Sequence, residues 1–123
     1  MSYHVLVLDD EPDMLATYER LLRRQGHEVV SARTLADGLR AIFDRAPDLL
    51  IADVQLPDGD GLEVVRAARG IPVPPPAIVV TGLASTLTRE TALAAGATAV
   101  LLKPFATEAL VKLIRSLLQP GAI

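Results

Sequence analysis

Four short runs of consecutive apolar residues constrain this chain more than any other feature: Val5 to Leu8, Leu49 to Ala52, Ala77 to Val80 and Ala99 to Leu102. Each is too short for a helix, and each is apolar at adjacent positions, not alternate ones. A strand of that kind must bury both faces, as in a parallel sheet covered by helices on both sides. A fifth, weaker strand is expected at Glu28 to Ala32. Between the runs the apolar spacing changes to three and four. Leu15, Tyr18 and Leu22 share one helical face, Leu35, Leu39 and Ile42 a second, and Leu110, Ile114 and Leu117 a third. Pro12 suits a first helical turn, Thr34 and Thr107 can cap, and Asp60 with Glu63 forms a capping-box variant. Gly26 and Gly96 fit helix ends. Strand-helix units joined by right-handed crossovers then predict an α/β, doubly wound, five-stranded parallel sheet of order 2-1-3-4-5 with helices on both faces.

The length of 123 residues suits one domain, expected to span residues 1–123. The segment GIPVPPP from Gly70 to Pro76 is expected to be a stiff surface loop, because neither flanking part holds enough elements for an α/β domain. Half of the residues are hydrophobic but only 3% are aromatic, so Leu, Val, Ile and Ala must build the core. The chain has no cysteine, which excludes disulfides, thiolate metal sites and thiol nucleophiles. Its 12 basic and 15 acidic residues are interspersed, and direct nucleic-acid binding is not expected. No apolar run approaches the ~18 residues of a membrane span, and MSYHVLVLDD lacks a signal-type pattern. A cytoplasmic protein without membrane contact is expected.

Each of the four apolar runs ends in a polar group at its carboxyl end: Asp9 with Asp10, then Asp53, Thr81 and Lys103. In an open parallel sheet these ends line one edge, and ligands bind where the strand order reverses, here between the strands carrying Asp9 and Asp53. Taken singly, each has an ordinary explanation. Asp9 and Asp10 could cap a helix, Asp53 could open a turn, Thr81 could be loop chemistry and Lys103 a solvated charge. Their joint placement on one edge is what points to a site. Three converging carboxylates repel unless a cation intervenes, and magnesium takes one or two carboxylates together with water and phosphate oxygens. A carboxylate can also attack phosphorus to give an acyl phosphate, provided that positive charge neutralises the transferring group. Lys103 can supply charge, and Thr81 can donate a hydrogen bond to a phosphoryl oxygen.

The motifs VLVLDDEP, LLIADVQLPDGDGLEVV, AIVVTG and GATAVLLKPF, in that order, make the chain similar to the receiver domain of bacterial two-component response regulators, a CheY-like, flavodoxin-like fold. The resemblance covers essentially the whole sequence. It implies that Asp53 accepts a phosphoryl group from the phosphohistidine of a sensor histidine kinase or phosphotransfer protein, and that the change is passed to a downstream output domain or partner protein. It also implies magnesium ligation by Asp10, Asp53 and the backbone carbonyl of Gln55, with Asp9 acting through water. Thr81 and Lys103 would contact the phosphoryl group, and the Lys103–Pro104 peptide would be cis. The protein would then be a signalling switch, not an enzyme with a diffusible substrate, although it assists its own phosphorylation and dephosphorylation.

One departure stands out. Three residues before the lysine the family usually carries Tyr or Phe, and here Val100 takes that place. The relay is therefore expected to run through Thr81, the loop from Gly82 to Ser85 and the helix from Thr86 to Ala95. The last strand also lacks the paired acids common in members that dimerise to drive winged-helix outputs, which points away from that subclass. Two alternatives remain: a phosphorylation-independent interaction module, and an aspartyl-phosphate phosphohydrolase. The second would need an acid two residues after Asp53, where Gln55 stands. His4 and His27 lack a second ligand nearby and are expected to be structural, Phe105 to pack the last loop, and Met14 and Tyr18 to be core.

Overall fold

The apolar runs divide by parity between two separate cores. Leu6 and Leu8 pack with Leu50, Ala52, Ala77 and Val79 on one face of the sheet, whereas Val5 and Val7 pack with Leu49, Ile51, Ile78 and Val80 on the other. Adjacent side chains point to opposite faces of a strand, so an unbroken apolar run is what a doubly covered sheet requires. The computed structural model describes residues 2–82 and 89–118. Its elements in order are β1 (His4–Leu8), α1 (Pro12–Arg24), β2 (Glu28–Ala32), α2 (Leu35–Asp44), β3 (Leu49–Asp53), β4 (Gln55–Leu56), β5 (Gly59–Asp60), α3 (Leu62–Ala68), β6 (Ala77–Gly82), α4 (Arg89–Ala95), β7 (Ala99–Lys103) and α5 (Thr107–Leu118).

The five-stranded sheet has the order β2-β1-β3-β6-β7, with every neighbouring pair parallel. This is the expected 2-1-3-4-5 arrangement, since β4 and β5 form a separate antiparallel hairpin. Helices α2, α3 and α4 cover the face of Leu6 and Leu8, and α1 and α5 cover the face of Val5 and Val7. Leu15, Tyr18 and Leu22 of α1 and Leu110, Ile114 and Leu118 of α5 are buried there. Among the described residues no helix is long and apolar enough to cross a membrane.

The helix signals fare unevenly. Pro12 opens α1, and the Thr34 hydroxyl accepts from the Asp37 N–H at 3.1 Å. Gly26 and Gly96 adopt positive φ of 85° and 117° just past α1 and α4. In each case the following residue donates back five positions, His27 to Leu22 and Ala97 to Ala92, which closes the helix end. Asp60 works one residue closer than the capping box predicts: it accepts from Leu62 N–H at 2.8 Å, leaving Glu63 uninvolved in that bond. Thr107, expected as a cap, is the first residue of α5. The run at Ala99 to Leu102 is not buried on both faces. As the edge strand β7 it leaves Val100 and Leu101 half-buried and Leu102 49% exposed. The segment from Gly70 to Pro76 is a surface loop, with Val73 exposed at its centre.

Candidate functional site

All four polar strand ends reach one edge of the sheet. Asp9, fully buried just after β1, is tied to the neighbouring strand by its N–H, which donates to the Ala32 carbonyl at 3.1 Å. Its Oδ1 accepts from Glu11 N–H at 2.9 Å. Asp53, the last residue of β3, repeats that turn: its Oδ1 accepts from Gln55 N–H at 2.9 Å. Each carboxylate thus keeps its second oxygen for a side-chain partner. That partner is Lys103 at the end of β7, whose Nζ donates to Asp53 Oδ2 at 2.8 Å and to Asp9 Oδ2 at 3.2 Å, and lies 3.5 Å from Glu11 Oε1. Parity explains the convergence. Asp9 continues the Val5, Val7 series, Asp53 the Leu49, Ile51 series, and Lys103 follows Leu101, so all three belong to the α1 and α5 side of the sheet.

The electrostatics follow from this burial. Desolvation raises the Asp9 carboxyl above its usual pKa, against the opposing Glu11 N–H and Lys103 charge. For Lys103, burial pulls downward but the hydrogen bonds and charges of Asp53 and Asp9 outweigh it, so the ammonium is held above the usual lysine range and stays charged. Ligand oxygens of Asp9, Asp10, Glu11 and Asp53 lie within 4.8 Å of one another. Asp10, Glu11, Asp53, Gln55, Gly82 and Lys103 line an open pocket of about 360 Å³ above them. Four carboxylates against one ammonium leave an excess of negative charge, and oxygen donors at this spacing suit a hard divalent cation. The donor chemistry therefore fits magnesium.

Thr81 sits at the carboxyl end of β6, 5% exposed, and its hydroxyl oxygen has no hydrogen-bond partner among the described residues. A Cβ on Gly82 beside it would meet nothing within 4 Å among the described residues. Residues 83–88, which include most of the expected loop and the start of the expected helix, lie outside the described residues. Val100 is half-buried and packs on the α2, α3 and α4 side. The Lys103–Pro104 peptide is cis, as the resemblance implies.

Two residues of this region were not singled out by the sequence. Glu11 joins the acidic cluster and touches Lys103, and its only signal is that it extends the Asp9, Asp10 pair. Asp58, in the turn between β4 and β5, accepts from Leu35 N–H at 2.7 Å and Ala36 N–H at 3.0 Å, and so caps α2 from outside. Those two bonds hold its carboxyl below the usual range. An acid whose partners lie 22 and 23 residues away leaves no local pattern to read.

A family model described as the response regulator receiver domain matches residues 5–115. The chain belongs to this family. Receiver domains are signalling domains of two-component systems, not enzymes in the usual sense, and response regulators work with histidine kinases and output domains. Among curated proteins, this receiver domain is 39% identical over 118 residues to the transcriptional regulatory protein PrrA of Mycobacterium bovis, covering 96% of this chain and 51% of that one. It is 40% identical over 118 residues to the transcriptional regulatory protein TrcR of Mycobacterium tuberculosis, covering 94% and 45%. The chain thus spans about half the length of the curated relatives it matches. Those names describe transcriptional regulators. Among solved structures, a CheY-like receiver domain protein from Methanospirillum hungatei JF-1 superposes with a TM-score of 0.89 at 31% identity, covering 98% of this chain and 96% of that one. The receiver domain of the sensor histidine kinase PA1611 from Pseudomonas aeruginosa PAO1, described with a magnesium ion coordinated in its active site cleft, gives 0.84 at 26% identity, covering 96% and 98%.

Proposed function

We propose that this receiver domain, one unit over residues 1–123, is a phosphorylation switch in which Asp53 accepts a phosphoryl group from the phosphohistidine of a histidine kinase or phosphotransfer protein. The observation that carries the proposal is the Lys103 ammonium bridging the Asp53 and Asp9 carboxylates at the mouth of an acidic pocket. In the transfer the P–N bond of the donor breaks and an Asp53 O–P bond forms, while the bonding pair stays on the imidazole nitrogen. Lys103 is placed to neutralise the phosphoryl oxygens, and Asp53 is held by Gln55 N–H with one oxygen directed at the lysine. Thr81 offers a hydroxyl without a partner among the described residues at the adjacent strand end.

Asp10 and Asp53, with the Gln55 backbone carbonyl, would hold magnesium, and Asp9 would act on it through water. When bound, the ion would offset the charge of the cluster and of the incoming phosphoryl oxygens. Phosphorylation adds about -1.5 to -2 charge and three acceptor oxygens, enough to draw Thr81 and the segment after Gly82 inward. Val100 has neither a ring nor a hydroxyl, so the signal leaves through that segment and α4 toward a downstream output domain or partner protein, in the cytoplasm.

The test is magnesium titration followed by reaction with a small phosphodonor. Asp10→Ala should weaken magnesium binding by about tenfold or more, since one of few protein ligands is lost. Chelation should stop phosphoryl uptake by the wild type. Unchanged magnesium affinity in Asp10→Ala, or full uptake in chelator, would contradict the proposal.

A further inference from the structure

Tyr18 is an aromatic residue among aliphatic ones in the α1 and α5 core, and it is 1% exposed. Its hydroxyl is buried and has no hydrogen-bond partner among the described residues. Buried hydroxyls are normally paired, so an orphaned one calls for a reason. Three observations locate it. It lies on the sheet face that also receives Asp9, Asp53 and Lys103. The charges of Asp9, Lys103, Asp53 and Glu11 all act on it, Asp9 most strongly. Its ring stacks on Phe105, with centroids 6.4 Å apart and planes 25° from parallel, and Phe105 is two residues past Lys103. Burial, followed by the neighbouring acids, raises the phenol pKa above its usual value, so the group keeps its proton and is a donor.

The Asp9 carboxylate on that face already has donors. Asp9 Oδ1 is engaged by Glu11 N–H and Oδ2 by Lys103. Turning Lys103 toward a phosphoryl group on Asp53 would free Asp9 Oδ2, on a carboxylate that is fully buried.

We propose that Tyr18 is a positioning residue of the acceptor site, its hydroxyl donating to the Asp9 carboxylate in the phosphorylated state in place of the Lys103 ammonium. This rests on the reading of Asp53 as acceptor. Tyr18 then stabilises the switched state selectively, because its bond is made there and not in the resting arrangement.

The test uses beryllofluoride with magnesium as a mimic of the phosphoryl group. Tyr18→Phe removes the hydroxyl and keeps the ring. Without the mimic, the variant should melt at or above the wild-type temperature, since an unpaired buried donor has gone. Its affinity for beryllofluoride should fall by about tenfold or more, the scale of one hydrogen bond to a charged group. In the wild type the Tyr18 Cζ resonance should shift on adding the mimic, which a merely structural ring would not show. Wild-type affinity in Tyr18→Phe, or a Cζ resonance that does not move, would overturn the inference while leaving Asp53 as acceptor. A wild-type protein that does not bind beryllofluoride at all would remove both.

Discussion

One ammonium serves several carboxylates at the sheet edge, and this sets Lys103 apart from every other described cation. The pairs Arg23–Glu19, Arg40–Asp37 and Arg45–Glu28 join side chains that are mostly exposed, and such contacts are worth about 0–1 kcal/mol. Lys103 instead meets Asp9, which has no exposed side-chain surface, so removing the lysine strands a desolvated charge. At the opposite end of the sheet lies a second buried ionisable group. His4 is 5% exposed, and its Nδ1 has no hydrogen-bond partner among the described residues. Burial first, and then the Arg45 charge, hold its pKa below the ordinary 6.5, although Glu28 and Asp48 pull the other way. A folded state that disfavours protonation keeps the full contribution of neutral His4 above pH 6.5 and loses it as pH falls through the lowered folded value. His27, lowered chiefly by burial, adds to the same window. Urea melts between pH 7 and 5 should therefore show a smaller loss of stability in His4→Leu than in the wild type. Equal losses in the two proteins would contradict this assignment.

At the level of elements, what could be read from sequence was whatever repeats over several residues. The runs in β1, β3 and β6 show themselves because both faces are buried, and α1 and α2 because their apolar faces recur at three and four. The hairpin of β4 and β5 was not visible: two-residue strands have no periodicity, and the segment simply reads as a turn. Yet it organises the stretch after Asp53. Asp58 at its tip caps α2, Asp60 caps α3, and Gly61 lets the returning chain pass the strand end. A Cβ on Gly61 would land on the carbonyl oxygen of Asp53 and lie 3.4 Å from Val54 Cα, while the Gly61 N–H donates to Val54 O at 3.0 Å. The constraint is space, since Gly61 has helical φ of -60° and ψ of -19°. Gly61→Ala should force the backbone apart, cost about 1–3 kcal/mol as overpacking does, and displace Asp53 from Lys103. Denaturant unfolding would measure the first effect and phosphoryl uptake the second. A variant as stable and as readily phosphorylated as the wild type would show that the loop has room to spare.

For the whole molecule, topology did most of the predictive work. The sheet order and the common edge follow from short parallel strands and right-handed crossovers, which is why residues as far apart as Asp9 and Lys103 could be placed together without any visible contact. The same rules say nothing about parity across strands in space, so the orphaned Tyr18 hydroxyl and the lysine's sharing between two carboxylates emerge only from the folded chain. The predicted order itself placed the last strand at an edge, but its unbroken apolar run was read as buried on both faces, which is why β7 was expected to be more buried than it is. The central claim is that these strands exist to hold Asp53 as a phosphoryl acceptor. It is tested most directly by intact-mass measurement after incubation with magnesium and a small phosphodonor, comparing the wild type with Asp53→Asn. The account predicts one added phosphoryl group on the wild type, lost in acid, and none on the variant. Equal labelling of the two proteins would contradict it.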